Sequence, residues 1–149
     1  METIQIEAII FRKNEDSFDF LLLKRTPEKG GFWQPLCGSL EGNEDLLQAA
    51  YRELFEETAI SKEDVLNVIE NVHYFEIDKH YITDKKMPTI KEYVFAFEVN
   101  KKTVVNIKNN IYPEHEDFKW VSYNEALGML KWKNNKEAFK KLFNRLIIP

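Results

Sequence analysis

The chain has 149 residues, 44% hydrophobic and 31% charged, a size and balance typical of one globular domain and not of a disordered or fibrous protein. The net charge of −4 argues against a surface that binds nucleic-acid phosphates. One cysteine cannot form an internal disulfide, and one cysteine with three scattered histidines argues against a structural zinc site. No apolar stretch approaches the roughly 20 residues that span a bilayer and no signal-peptide pattern is present, so we expect a soluble, cytoplasmic protein whose partner is neither a nucleic-acid polymer nor a membrane.

The N-terminal third is predicted to hold two strands and a loop. Residues 3–12 alternate apolar and polar side chains, which is the period of a strand. Turn-forming residues 14–17 lead into the apolar run 18–23, which predicts a hairpin into a central strand covered on both faces. Residues 26–43 contain two of the five prolines and four of the five glycines, so this segment is predicted to be mostly loop.

A helix is predicted after this loop, followed by two strands. Asn43 can cap the helix, Glu44 and Asp45 suit the positive end of its dipole, and apolar residues at helical spacing continue it to about Thr58. Aromatic and β-branched residues then predict strands between residues 68 and 81 and between 92 and 99. The polar, lysine-bearing stretch between them indicates a long hairpin loop or a mobile flap.

The C-terminal third is predicted to be mainly helical. A short strand at 103–107 precedes a capping box formed by Ser122 and Glu125, which begins a short helix. A last helix carries one apolar stripe from Ala138 to Leu146. The element order predicts a mixed sheet that is interrupted by a mid-chain helix and closed by C-terminal helices.

The second half of the mid-chain helix places three carboxylates on one face. At about 100° per residue, Glu53 and Glu57 project within about 40° of each other and Glu56 lies about 60° to the other side of Glu53. Like charges at this spacing repel each other, so the face favours a bound cation. Oxygen ligands favour Mg²⁺ or Mn²⁺, and Mg²⁺ is usually held by carboxylates together with substrate phosphates. The helix alone also allows a solvated face on which Arg52 pairs with Glu56.

The wider spacing around this helix resembles the signature of the Nudix hydrolases. The matching positions are Gly38, Glu44, Arg52, Glu53, Leu54, Glu56, Glu57 and Ile60. Ala59 stands where the family usually has glycine, which costs about 1 kcal/mol at a left-handed helix end and touches no metal ligand. The resemblance implies an α/β fold, an α/β/α sandwich around a mixed β-sheet, as one Nudix domain over residues 1–149.

The resemblance also implies a metal site that uses Mg²⁺, with Mn²⁺ as the alternative. It makes Glu53 and Glu57 direct metal ligands, and it makes Glu56 a further ligand or the acceptor of a metal-bound water. The backbone carbonyl of Cys37 is implied as another ligand, whereas the Cys37 thiol is interpreted as a small buried hydrophobe.

Further residues receive roles from the same resemblance. Glu44 and Arg52 are implied to stiffen the helix. The segments KRTPEKGGFWQPLCGSLEGNE, EHEDFKW and SYNEAL resemble the bacterial dihydroneopterin triphosphate pyrophosphatases, a Nudix group also described as dATP pyrophosphohydrolases. In that group the Glu of the EH pair reaches into the metal site, which transfers to Glu114. The alternative for Glu114 is an ordinary loop acid before the final strand.

Four residues near the loop are candidates for substrate contacts. Trp33 and Gln34 can stack on and hydrogen-bond a planar base or pterin, although Trp33 suits a core position equally well. Lys24 and Arg25 can hold the outer phosphates through charge-assisted hydrogen bonds, although basic residues after a strand are often only solvated.

The implied reaction is attack of water on a phosphorus of a pyrophosphate linkage. The favoured substrate is a nucleoside triphosphate or dihydroneopterin triphosphate, which gives the monophosphate and pyrophosphate. Glu53, Glu56 and Glu114 are all candidate bases. The alternatives are a Nudix hydrolase for oxidised nucleotides or dinucleoside polyphosphates and, less favoured, a non-catalytic module that senses a nucleotide. A monomer and a homodimer are both compatible with the sequence.

Overall fold

A mixed β-sheet with helices on both faces forms the fold in the computed structural model, which describes residues 3–80, 83–108 and 110–148. The strands are β1 (Thr3–Asn14), β2 (Ser17–Arg25), β3 (Trp33–Gln34), β4 (Leu36–Ser39), β5 (Val65–Lys79), β6 (Lys86–Val99) and β7 (His115–Val121). The α-helices are α1 (Leu46–Thr58), α2 (Tyr123–Met129) and α3 (Lys133–Ile147), and 3-10 turns lie at Pro27–Lys29 and Lys62–Asp64. No helix of the described residues has the length and apolar character needed to cross a membrane.

The sheet is mixed because its central strand has both parallel and antiparallel neighbours. The order along the main path is β3-β2-β1-β6-β5, with β4 also pairing β1 and β7 also pairing β2. β1 runs parallel to β6 and antiparallel to β2 and β4. The predicted mixed sheet and the predicted hairpin between the first two strands are confirmed.

Alternation along β1 sends successive side chains into two separate cores. Ile6, Ala8 and Ile10 pack on the face that α1 covers with Leu54. Ile9 and Phe11 point to the opposite face, where α2 and α3 supply Ala126, Ala138, Phe139 and Leu142. Helices on both faces make the α/β/α sandwich, which confirms the predicted fold class and the predicted stripe of the last helix.

The start of α1 corrects the prediction that Asn43 caps this helix. The cap is Asp45, whose side chain accepts a hydrogen bond from Gln48 N (2.8 Å), while Gln48 Oε1 accepts one from Asp45 N (2.9 Å). Such a reciprocal box needs a polar side chain three residues after the cap, and Asn43 has an apolar leucine there. The predicted end at Thr58 is confirmed, and Ala59 adopts the expected left-handed conformation with φ of 62°.

The loops are shorter than predicted. Two short strands, β3 and β4, lie within the segment expected to be loop, because the sheet edges of β2 and β1 are open to them there. Strand β6 begins at Lys86, within the expected flap. Residues 81 and 82 lie outside the described residues. The strand predicted at 103–107 is absent from the described chain: Val105 packs into the α1-side core, Val104 is exposed, and Asn106 N donates to Thr58 O at the end of α1 (2.8 Å).

Candidate active site

The three acids of α1 differ in how far water reaches them. Glu53 and Glu57 are buried, whereas the side chain of Glu56 is 42% exposed. Burial raises the pKa of Glu53 to about 7. Hydrogen bonds from Arg52 lower this pKa in part, and repulsion from Glu56 and Glu57 raises it. Two buried acids beside a third create an acidic face that only partly reaches solvent.

Arg52 is the centre of a hydrogen-bond network that holds this face. Its guanidinium donates to Glu44 Oε2 (2.6 Å), Glu53 Oε1 (2.9 Å) and Glu56 Oε2 (3.1 Å). A further bond goes to the Ser39 carbonyl oxygen (2.8 Å), which ties the helix to β4. Hydrogen bonds from Arg52 and from the Glu41 backbone keep the pKa of Glu44 below its ordinary value. The structure therefore brings together Glu44, Arg52, Glu53 and Glu56 through one side chain.

Gly38 lies directly against the Glu53 carboxyl group. A Cβ atom at position 38 would overlap Glu53 Cγ, Cδ and Oε1. The backbone of Gly38 has no positive φ, so the need for glycine here arises from space alone. Gly38 belongs to β4, and its missing side chain is what allows the buried carboxyl of α1 to approach the sheet.

Glu57 is held by two residues that the sequence did not single out. Asn110 Nδ2 donates to Glu57 Oε1 (2.8 Å). His115 Nδ1 lies 3.2 Å from Glu57 Oε2, and Gln34 Nε2 donates to His115 Nε2 (3.0 Å), which leaves the ring proton on Nδ1 for Glu57. His115 and Gln34 are both buried, so this line of hydrogen bonds is shielded from water.

Glu114, predicted to reach the metal site, and Lys24, predicted to bind phosphates, lie nearer the surface. The side chain of Glu114 is 38% exposed and faces Lys29 Nζ at 3.8 Å, whereas its neighbour His115 contacts Glu57. Glu114 lies outside β7, whereas His115 is the first residue of that strand. Lys24 pairs with Glu116 at 3.2 Å and is likewise partly exposed.

A cavity of about 600 Å³ opens on the α3 side of the sheet. Arg25 and Gln34 line it, and so do the aromatic rings of Phe32 and Trp132, whose centroids are 5.5 Å apart with perpendicular planes. Among the described residues Trp33 is not part of this lining and packs against the α3-side core. Arg25 Nε is buried and has no hydrogen-bond partner within the described structure.

The donor set of α1 fits a hard divalent cation. Glu53, Glu56 and Glu57 offer carboxylate oxygens, the ligands that Mg²⁺ and Mn²⁺ prefer. Each carboxylate oxygen has two lone pairs, so Glu57 keeps acceptor capacity beyond its bonds to Asn110 and His115. Hydrogen bonds of this kind orient the carboxylates that bind metals in proteins.

A second cluster of side chains that could bind a metal lies on the sheet beneath the cavity. Potential ligand atoms of Glu7, Cys37 and Glu92 lie within 4.8 Å of one another. Glu7 and Glu92 are buried, and burial raises the pKa of the Cys37 thiol well above its ordinary value. The thiol donates to the Pro35 carbonyl oxygen at 3.6 Å, in keeping with a small buried side chain.

Comparisons with known proteins identify relatives of this chain in sequence and in structure. Residues 3–143 match the family model described as NUDIX domain. In sequence, the chain is 35% identical over 145 residues to a dihydroneopterin triphosphate diphosphatase of Haemophilus influenzae, covering 92% of this chain and 85% of the relative. It is 30% identical over 133 residues to an asymmetrical bis(5'-nucleosyl)-tetraphosphatase of Caenorhabditis elegans, covering 89% and 88%. In structure, it matches a Listeria monocytogenes protein assigned to the NUDIX hydrolases with a TM-score of 0.80 and 29% identity, covering 96% of this chain and 93% of that one.

Proposed function

This chain belongs to the Nudix family of phosphoanhydride hydrolases, and we propose that it cleaves a nucleoside triphosphate or dihydroneopterin triphosphate into the monophosphate and pyrophosphate with the help of Mg²⁺ or Mn²⁺. The observation that carries the proposal is the buried hydrogen-bond line from Gln34 through His115 to Glu57. Gln34 lines the cavity and Glu57 belongs to the acidic face of α1. A planar ring bound in the cavity therefore has its phosphates directed toward that face.

The acidic face supplies the proposed metal site. Glu53, Glu56 and Glu57 would hold the ion, with the Cys37 backbone carbonyl and Glu114 as further proposed ligands. When bound, the ion neutralises phosphate oxygens and lowers the pKa of the attacking water.

The chain itself provides a proton acceptor and a rigid frame. Glu53, Glu56 and Glu114 are the proposed candidates for the general base, because each offers a carboxyl oxygen that can accept a proton from water. Arg52 fixes the orientation of Glu53 and Glu56, and His115 and Asn110 fix Glu57. Reacting groups held in advance in one geometry lower the entropy cost of the reaction.

Two basic residues are proposed to bind the outer phosphates. Arg25 reaches the cavity with a buried Nε that lacks a partner within the described residues, so it is available to donate to an anion. Lys24 is next to Arg25 in β2. Its ion pair with Glu116 is partly exposed, so exchanging Glu116 for a phosphate costs little free energy. Gln34 offers its amide at the cavity wall.

Hydrolysis of dihydroneopterin triphosphate or a deoxynucleoside triphosphate in ¹⁸O-labelled water is expected to place the label in the monophosphate. The reason is the orientation proposed above: the ring in the cavity and the outer phosphates near Lys24 and Arg25 bring the innermost phosphorus to the Glu53 and Glu57 face. Mass spectrometry of the products decides the outcome. Label in pyrophosphate or orthophosphate would contradict this orientation, and turnover of dinucleoside polyphosphates alone would favour the tetraphosphatase specificity instead.

Replacing Glu114 by alanine is expected to lower kcat by at least about tenfold, the usual effect of losing a positioned acid or base. Thermal stability should change by less than about 1 kcal/mol, because the side chain is partly exposed and its pair with Lys29 is long. Kinetics between pH 6 and 9 measure the effect, with Glu28→Ala, an exposed acid of the neighbouring turn, as the control. Wild-type kinetics for Glu114→Ala would mark Glu114 as an ordinary surface acid.

A further inference from the structure

The cavity has an acidic floor that the hydrolytic reaction does not use. Glu92 of β6 lines the cavity and is 4% exposed, and Glu7 of β1 lies behind it with no exposure. Asn135 of α3 also lines the cavity and donates from Nδ2 to Glu7 Oε1 (2.7 Å). Burying two carboxyl groups under a mostly apolar cavity is costly, so their presence there suggests a role for Glu92 in contacting a ligand.

The two carboxyl groups lie side by side, with potential ligand atoms within 4.8 Å of each other. Burial, together with the charge of Glu92, raises the pKa of Glu7 well above its ordinary value, and burial raises the pKa of Glu92 to about 7. Glu7 Oε2 is buried and has no hydrogen-bond partner among the described residues. Glu7 is the deeper group and already accepts a bond from Asn135, so Glu92 presents acceptor oxygens to the cavity.

We infer that Glu92 recognises a planar ring through two adjacent N–H donors, as found on the 2-amino-4-oxopyrimidine ring that guanine and pterins share. This inference rests on the proposed function, since it concerns the ring of the same triphosphate substrate. A ring N–H and the neighbouring amino group match the two oxygens of one carboxyl group in spacing and direction. Adenine and cytosine each present a donor beside an acceptor on the corresponding edge, so they leave one Glu92 oxygen unpaired.

The walls of the cavity suit such a ring. Phe32 and Trp132 form an aromatic corner, and Ile77 and Ile90 add apolar surface near Glu92. Aromatic and aliphatic walls bind the faces of a flat ring and leave its edge to the polar floor. Gln34 lies on the same lining and contacts His115, which contacts Glu57 of the acidic face, so the cavity and the acidic face are connected.

The test measures kcat/KM for dihydroneopterin triphosphate, dGTP, dATP and dCTP on the wild-type chain and on Glu92→Gln. The wild type is expected to prefer the first two substrates by at least about tenfold, and their relative kcat/KM identifies whether a pterin or a guanine is the natural ring. Glutamine keeps the shape but offers one donor and one acceptor, the pattern that pairs with adenine. The ratio of dGTP to dATP kcat/KM is therefore expected to fall by at least about 30-fold in Glu92→Gln.

Glu98→Gln is the matched control. Glu98 lies on the same strand and is 8% exposed, but it accepts a hydrogen bond from Asn67 (2.8 Å) and is not part of the described cavity lining. Its replacement is expected to leave the substrate ratio unchanged. Equal use of dATP and dGTP by the wild type, or an unchanged ratio in Glu92→Gln, would overturn the inference and leave the proposed hydrolysis intact.

Binding measurements keep the two claims separate. Calorimetric titration of the wild type with neopterin, guanosine and adenosine, without metal, is expected to show tighter binding of the first two by at least about tenfold. A chain that hydrolyses no triphosphate of the panel contradicts the proposed function, and the titration still decides the ring preference. Equal affinity for guanosine and adenosine would overturn the inference whether or not the chain is active.

Discussion

Glu57→Gln is expected to lower kcat by at least about 100-fold, because it removes a proposed metal-binding charge that stabilises the transferring phosphoryl group. Activity of the wild type should disappear in excess EDTA and return with Mg²⁺ or Mn²⁺. Steady-state kinetics with a triphosphate substrate measure both effects. Full activity of Glu57→Gln, or unchanged activity in EDTA, would contradict the assignment of α1 as a metal-binding helix.

The same replacement is expected to leave the free energy of unfolding within about 1 kcal/mol of the wild type. Glutamine keeps an oxygen to accept the bond from Asn110, and its amide can donate to His115 Nδ1 if the ring proton moves to Nε2 and the Gln34 amide turns over. Loss of one negative charge also relieves repulsion along α1. Thermal unfolding followed by circular dichroism separates a catalytic loss from a folding defect.

Glu63→Gln is the control for this variant. Glu63 is an exposed acid of the 3-10 turn that follows α1, so it shares the chemistry of the replacement without belonging to the acidic face. Its kcat is expected to match the wild type. A similar loss in both variants would indicate a general effect of charge on the enzyme and not a local one at Glu57.

Local patterns predicted most of the fold because each depends on neighbours in the chain. Alternation over residues 3–12 identified β1, and the 3.6-residue stripe from Ala138 identified α3. The helix start was misplaced because Asn43 and Asp45 are both good caps, and only the side chain three residues later distinguishes them. The strand expected at 103–107 failed because β-branched residues favour a strand only when a partner strand is available.

The acidic face could be predicted from sequence because helical periodicity sets which side chains share a face. The residues that hold Glu57 could not be predicted in this way. Asn110 and His115 lie 53 and 58 residues beyond Glu57 in the chain and reach it only through the packing of β7 against the sheet. The aromatic corner could not be predicted either, because Phe32 and Trp132 are 100 positions apart in the sequence and meet only once α3 covers the sheet.

Gly38→Ala is expected to lower kcat by at least about 100-fold, because the added methyl group must displace the buried Glu53 carboxyl from its place against β4. The displaced side chain would lose its 2.9 Å bond from Arg52, which also positions Glu56. Overpacking of this kind is expected to reduce the free energy of unfolding by about 1–3 kcal/mol. Kinetics and denaturant unfolding of the same preparation measure the two effects.

Two further variants separate the clash at Gly38 from a general effect of replacing glycine. Gly128→Ala is the matched control: Gly128 lies in α2 with open space where its Cβ would be, so activity should be unchanged and the free energy of unfolding should rise by about 0.5–1 kcal/mol. Adding Glu53→Ala to Gly38→Ala removes the atoms that the methyl group meets. The double variant is therefore expected to regain most of the lost stability and none of the activity, a coupling that a double-mutant cycle measures. Additive losses of stability would show that the methyl group at position 38 meets something other than the Glu53 carboxyl.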